Sequence, residues 1–156
     1  MPPTSYQTEQ SIVLPGLTCR RVRNLDRSLG DGGMPLLAQL GLSFHEYGEG
    51  WAGATWQPTE LACNPLGTVH GGVYGVIHDA AMNFATSSAL ESGDRAATLD
   101  LKYETMRPAQ AGDELTVRGE AVRVARQVAY LESWVRNASD ELVSRGTATF
   151  ILRRKA

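Results

Sequence analysis

Two hydrophobic patterns divide this chain. Residues 73–90 are small or apolar on every side of a helix, with no Lys, Arg or Glu before Glu91. Such a composition predicts a helix enclosed by protein all round. Leu99, Leu101 and Tyr103 instead alternate with Thr98, Asp100 and Lys102, the period of a strand with one buried face. The runs 115–124, 128–135 and 142–152 are long enough for three more strands, parted by turns at 125–127 and 137–141. Before the helix, Leu42 to Tyr47 and Trp51 to Gln57 read as a hairpin joined through Gly48-Glu49-Gly50. Apolar residues at 34, 36, 37 and 40 suit a short helix closed by Gly41. One long helix for six strands predicts an α+β domain over residues 34–156, a curved antiparallel sheet wrapped around that helix. Residues 1–33 read as an N-terminal extension, with a short strand at Ile12-Val13-Leu14 and a basic cluster of Arg20, Arg21 and Arg23.

The long helix carries one acid, Asp79, and begins at Gly71-Gly72 directly after His70. The small residues at 80, 81 and 85–89 favour close approach of a neighbouring element, so Asp79 is expected to be buried or at an interface. An ionised carboxylate there is costly unless paired or hydrogen-bonded. At the helix start the first N–H groups have no partner within the helix and the macrodipole is positive. Glycine lets another group approach those donors, which then suit a carbonyl oxygen as it becomes an oxyanion. Asn64 and His70 add polar groups at the same mouth. From Gly71 to Asp79 is eight residues, roughly 12 Å along the axis, too far for both to act on one reacting centre. A two-fold pair of chains removes that difficulty by setting the helix start of one against the acid of the other. The expected assembly is therefore a homodimer with a composite site, and the sequence leaves a simple dimer and a dimer of dimers both open.

Composition narrows the classes. A chain of 156 residues is the size of one domain. A net charge of -2 gives no cause to expect a nucleic-acid partner. The only long apolar run is rich in Ala, Ser and Thr and contains Asp79, which argues against a membrane span. Residues 1–10 have neither a basic start nor an apolar signal core, so a cytoplasmic protein is expected. Cys19 and Cys63 make no disulfide framework and show no metal spacing. No metal and no cofactor is expected.

Asn64, then His70-Gly71-Gly72 opening the long helix, Asp79 nine residues after the His, Thr98, and the Arg107-Pro108 pair between two strands form a specific combination. Over about residues 34–154 it resembles the hot-dog-fold acyl-CoA thioesterases of the phenylacetate-degradation (PaaI-like) and thioesterase-superfamily-member type. The resemblance implies a hot-dog fold and hydrolysis of an acyl or aryl-acyl thioester, with coenzyme A present only as part of the substrate. It implies that the N–H of Gly71 polarises the thioester carbonyl and that Asn64 assists or holds the water. Asp79 of the partner subunit would be general base or nucleophile, oriented by Thr98, and His70 would be structural or substrate-positioning. Gly72 joins the substrate-binding set, and Arg107, Arg123 and Arg126 are candidates for the coenzyme A phosphates.

Plainer readings stand beside these. Asp79 satisfied by Ser and Thr neighbours would be a buried acid and nothing more. Asn64 before Pro65 suits a simple turn, and exposed arginines on strands are common. His78 points to another side of the helix from Asp79 and reads as a packed or interface histidine. A rival on the same fold is a hydratase or dehydratase acting on acyl thioesters, in which the acid precedes its His; here His70 comes first. The rival from another class is a non-catalytic acyl-CoA-binding or regulatory module.

Overall fold

The structure, a computed structural model, describes residues 25–156. The strand expected at Ile12-Val13-Leu14 and the cluster Arg20, Arg21, Arg23 lie outside the described residues. A short helix α1 (Pro35–Leu40) leads into β1 (Leu42–Gly48) and β2 (Trp51–Trp56). The long helix α2 (Gly71–Ser88) follows, then β3 (Arg95–Thr105), β4 (Leu115–Val124), β5 (Val128–Arg136) and β6 (Leu142–Arg153). The six strands form one antiparallel sheet in the order β1-β2-β4-β5-β6-β3. Helix α2 touches all six strands. A sheet curved around one helix is the hot-dog arrangement that the resemblance implies.

Local chemistry sets the elements. Pro at the first position of α1 has no N–H to lose there. Gly41 ends that helix with φ 92 and returns its N–H to Ala38 and Leu37, a left-handed cap that a side chain would disfavour. The hairpin turns at Gly50, φ 81. Tyr74, Ile77, Ala81 and Ala85 line the inward face of α2 at spacings of three and four, against Trp56, Leu131 and Phe150 of the sheet. Burial of each large side chain contributes about 1.5–3 kcal/mol, which makes this contact between helix and sheet the main source of stability.

Two expectations change. Helix α2 is not enclosed all round by the described residues: Val73, Val76, Asp79, Ala80, Asn83 and Ser87 form a half-exposed stripe along it. The reason is geometric, since a single sheet covers only one side of a helix. The alternation in β3 also fails at one position. The register with β6 shifts between Thr98 and Asp100, and Leu99 falls in that bulge, 61% exposed. A bulge inserts one unpaired residue and breaks the period of two. β3 is an edge strand, paired only with β6.

Residues 25–33 pack on this core. Leu25 and Leu29 join it, Gly30 exchanges two backbone hydrogen bonds with Phe44 at 2.8 and 2.7 Å, and the Tyr47 hydroxyl donates to Asp26 at 2.6 Å. No helix among the described residues is long and apolar enough to cross a membrane.

The sheet meets α2 most tightly at Gly119 of β4, where a Cβ would stand 2.4 Å from the Ala81 carbonyl oxygen. That neighbour is helix backbone, so it cannot rotate away. Gly119→Ala is expected to lower unfolding free energy by about 1–3 kcal/mol, read as a lower urea midpoint.

Candidate active site

The start of α2 is held by a loop that is tied down at several points. The N–H of Val69 donates to Ala109 at 2.8 Å and that of His70 to Ala62 at 2.9 Å. Asn64 spends its side chain inside this loop: Oδ1 accepts from the N–H of Leu66 at 3.0 Å and of Thr68 at 3.3 Å, and Nδ2 donates to Thr68 Oγ1 at 2.9 Å. These bonds mark an Asx turn. His70 is the N-cap, extended at φ -61 and ψ 133, and its Nδ1 accepts the Gly72 N–H at 3.0 Å. A neutral ring that accepts at Nδ1 carries its proton on Nε2. The exposed His70 therefore offers a donor at the helix mouth. The glycine pair is thereby split. The Gly72 amide is capped, while the Gly71 N–H makes no hydrogen bond to a described residue and is exposed.

Asp79 lies on the uncovered stripe of α2. Thr98, beside the bulge in β3, donates from Oγ1 to Asp79 Oδ1 at 2.6 Å. The expected partners are thus brought together. Asp79 also borders a cavity of about 390 Å³. Its other lining groups include Asn83 and Ser87, one and two turns farther along the helix, and the segment ahead of α1. Neither Asn83 nor Ser87 stands out in the sequence, because small and polar residues are common along this helix. The spacing of four from Asp79 to Asn83 and again from Asn83 to Ser87 is the available signal.

The three candidate arginines are not brought together. Arg107 donates from Nη1 to the Leu142 carbonyl at 2.7 Å and places Nε 3.3 Å from Glu141 Oε2. It ties the segment after β3 to the start of β6. Arg123 and Arg126 lie exposed around the β4–β5 turn. That turn adjoins the far end of β6, where Val128 pairs with Ile151.

His78 is fully buried, with Nδ1 2.5 Å from Ser133 Oγ and Nε2 2.8 Å from Ser144 Oγ. It is a packed histidine between α2, β5 and β6, adjacent in sequence to Asp79 but facing the core. Burial pushes its pKa down from 6.5 to about 4.

With this geometry in place, likeness to known proteins is informative. Residues 66–144 match the family model described as the thioesterase superfamily. A Haemophilus influenzae protein, provisionally named as an esterase, is 28% identical over 117 residues, covering 74% of this chain and 84% of its own. A phenylacetic acid degradation-related protein of Ralstonia eutropha JMP134, provisionally a thioesterase, has a TM-score of 0.69 at 28% identity. That match covers 75% of this chain and 89% of the other. A hypothetical thioesterase of Streptococcus pneumoniae TIGR4, crystallised with coenzyme A, shares the fold at a TM-score of 0.68 and 20% identity, over 73% of this chain and 87% of its own.

The buried imidazole makes stability depend on pH in one direction. Between pH 6.5 and about 4 the unfolded chain binds a proton at His78 that the folded chain excludes. This contribution is therefore intact above that window and falls as pH drops through it, by about 1.4 kcal/mol per unit. Urea midpoints measured across the window should show a steeper acid loss for the wild type than for His78→Gln.

Proposed function

The chain belongs to the thioesterase superfamily, and we propose that it hydrolyses an acyl-CoA or aryl-acyl-CoA thioester to the free acid and coenzyme A. The carrying observation is the state of Asp79, half-exposed on the uncovered stripe of α2 and, among the described residues, hydrogen-bonded by Thr98 at one oxygen. Thioester hydrolysis needs a base for water and a donor for the oxyanion. The Gly71 N–H, which makes no hydrogen bond to a described residue, supplies the donor.

The two groups are eight residues apart on one helix, about 12 Å, so the reading assigns them to two chains. The uncovered stripe and the outer edge of β3 are joined through the Asp79 to Thr98 hydrogen bond. They make one continuous surface that a second copy would cover in a two-fold pair. Each site then takes Gly71 from one protomer and the partner subunit's Asp79. A dimer of dimers is the assembly proposed from such pairs.

In this site the carboxylate takes a proton from water as the water oxygen attacks the thioester carbon. The carbonyl electrons move to an oxygen held by the Gly71 N–H, and collapse of the tetrahedral intermediate breaks the C–S bond. Coenzyme A leaves as thiolate and takes the proton from the acid. In the nucleophilic variant the carboxylate itself attacks, and water opens the resulting anhydride. Thr98 orients the acid, Asn64 sustains the loop that delivers the helix start, and His70 presents Nε2 toward the substrate. Arg123 and Arg126, exposed and in no ion pair with a described residue, are the arginines proposed for the coenzyme A phosphates. Coenzyme A bound by a protein of the same fold is in keeping with that ligand.

Release of free thiol from acyl-CoAs, followed with a thiol-reactive dye, tests the reading. Asp79→Asn is expected to lose most turnover while the assembly persists, and full activity in that variant overturns it. Tight acyl-CoA binding with no thiol release would point instead to a binding module. Gly71→Pro removes the proposed donor at a helix position that suits proline, after a residue already extended. Its expected cost is about 10²–10³ in kcat. Mixing Asp79→Asn chains with Gly71→Pro chains rebuilds one intact site in each mixed dimer. Random mixing should therefore recover about a quarter of wild-type activity, whereas a site contained in one chain would recover none.

A further inference from the structure

The cavity beside Asp79 is walled by this chain's own residues ahead of α1, upstream of the stretch that matches the family model. Leu25, Leu37, Phe44 and Phe84 make its apolar side and are buried. The wall is built in rather than draped over: Gly30 is hydrogen-bonded twice to Phe44, Asp26 accepts from Tyr47, and Phe44 stacks on Phe84 at 4.7 Å. Against it stand two polar side chains of α2, Asn83 and Ser87. Their neighbours Thr86 and Ser88 return their hydroxyls to helix carbonyls. The side chains of Asn83 and Ser87 make no hydrogen bond to a described residue, although both are half-buried. Half-buried polar groups facing an apolar wall leave hydrogen bonds to be made.

The geometry points to an acyl-specificity pocket in which Asn83 and Ser87 recognise a hydrogen-bonding group on the far half of the acyl chain, and residues 25–34 limit its length. This rests on the thioesterase reading, because it takes the reacting carbonyl to lie at Asp79. An acyl group running along α2 from that point passes Asn83 after about 6 Å and Ser87 after about 12 Å. Its apolar carbons lie on Phe44 and Phe84. A substituent such as a hydroxyl meets the Asn83 amide, which can donate or accept. A saturated chain of the same length leaves that amide unpaired, and a much longer one meets the segment around Leu25 and Met34. Sites with polar groups placed for a substrate hydroxyl discriminate against the analogue that lacks it.

The test compares hexanoyl-CoA, omega-hydroxyhexanoyl-CoA and palmitoyl-CoA with the full-length protein, by thiol release. The hydroxylated substrate should exceed hexanoyl-CoA by about tenfold in kcat/KM, with palmitoyl-CoA slowest. Asn83→Leu should remove that preference by slowing the hydroxylated substrate and speeding hexanoyl-CoA, which no longer leaves an amide unpaired. Ser87→Ala, a smaller change, should weaken the preference in the same direction and serves if Asn83→Leu lowers the thermal midpoint. Equal rates for the two hexanoyl substrates in wild type, or equal losses on both in the variants, overturn the pocket. Calorimetric binding of the corresponding non-hydrolysable thioether analogues separates the two readings. Discrimination between analogues without thiol release from any thioester would keep the pocket and end the hydrolase proposal. Thiol release without discrimination would do the reverse.

Discussion

One geometric limit governs this molecule: a single six-stranded sheet can cover one side of a helix and no more. Tyr74, Ile77, Ala81 and Ala85 fill the covered side and supply most of the apolar burial. The other side keeps Val73, Val76, Asp79, Ala80, Asn83 and Ser87 within reach of whatever approaches. Stability and chemistry are thus separated by the rotation of one helix. His78 and Asp79 show the separation at its sharpest, because consecutive residues on a helix point about 100° apart. The imidazole is sealed between two serine hydroxyls and kept neutral by burial. The carboxylate next to it is hydrogen-bonded by one threonine and half-exposed.

The helix start follows a second economy of hydrogen bonds. Four N–H groups at a helix start lack helical partners, and a side-chain cap satisfies some of them. Here the cap is the His70 ring, and it takes the Gly72 amide. The Gly71 amide is left over as a consequence of how the cap is made. Asn64, a few residues earlier, is absorbed in shaping the loop, so its influence on the site passes through the position of the helix start.

Edge effects complete the arrangement. β3 comes directly after α2 but pairs at the end of the sheet, beside β6. That placement sets Thr98 across from Asp79, and the bulge after Thr98 turns Leu99 out to 61% exposure. An edge strand with an exposed leucine thus adjoins the open helix stripe. The segment before α1 closes the opposite margin of the same stripe, so the cavity near Asp79 has one wall from the helix and one from residues that a reading centred on the glycine motif treats as an extension.

Periodicity and turn chemistry were legible in the amino-acid order. The alternating and helical patterns located all six strands and both helices to within a few residues. That is because local backbone preference and side-chain period act over short stretches, while the resemblance carried by Asn64, His70, Gly71, Gly72, Asp79 and Thr98 marked the candidate site. Tertiary packing decided the rest. It chose which face of α2 stays open, since that depends on how far one sheet can curve. It placed the bulge at Leu99, gave the Gly72 amide to His70, and committed Arg107 to Leu142 and Glu141 while leaving Arg123 and Arg126 exposed. A hydrogen-bond donor spent on one partner is lost to another, and only the three-dimensional arrangement of competing partners determines where each is spent.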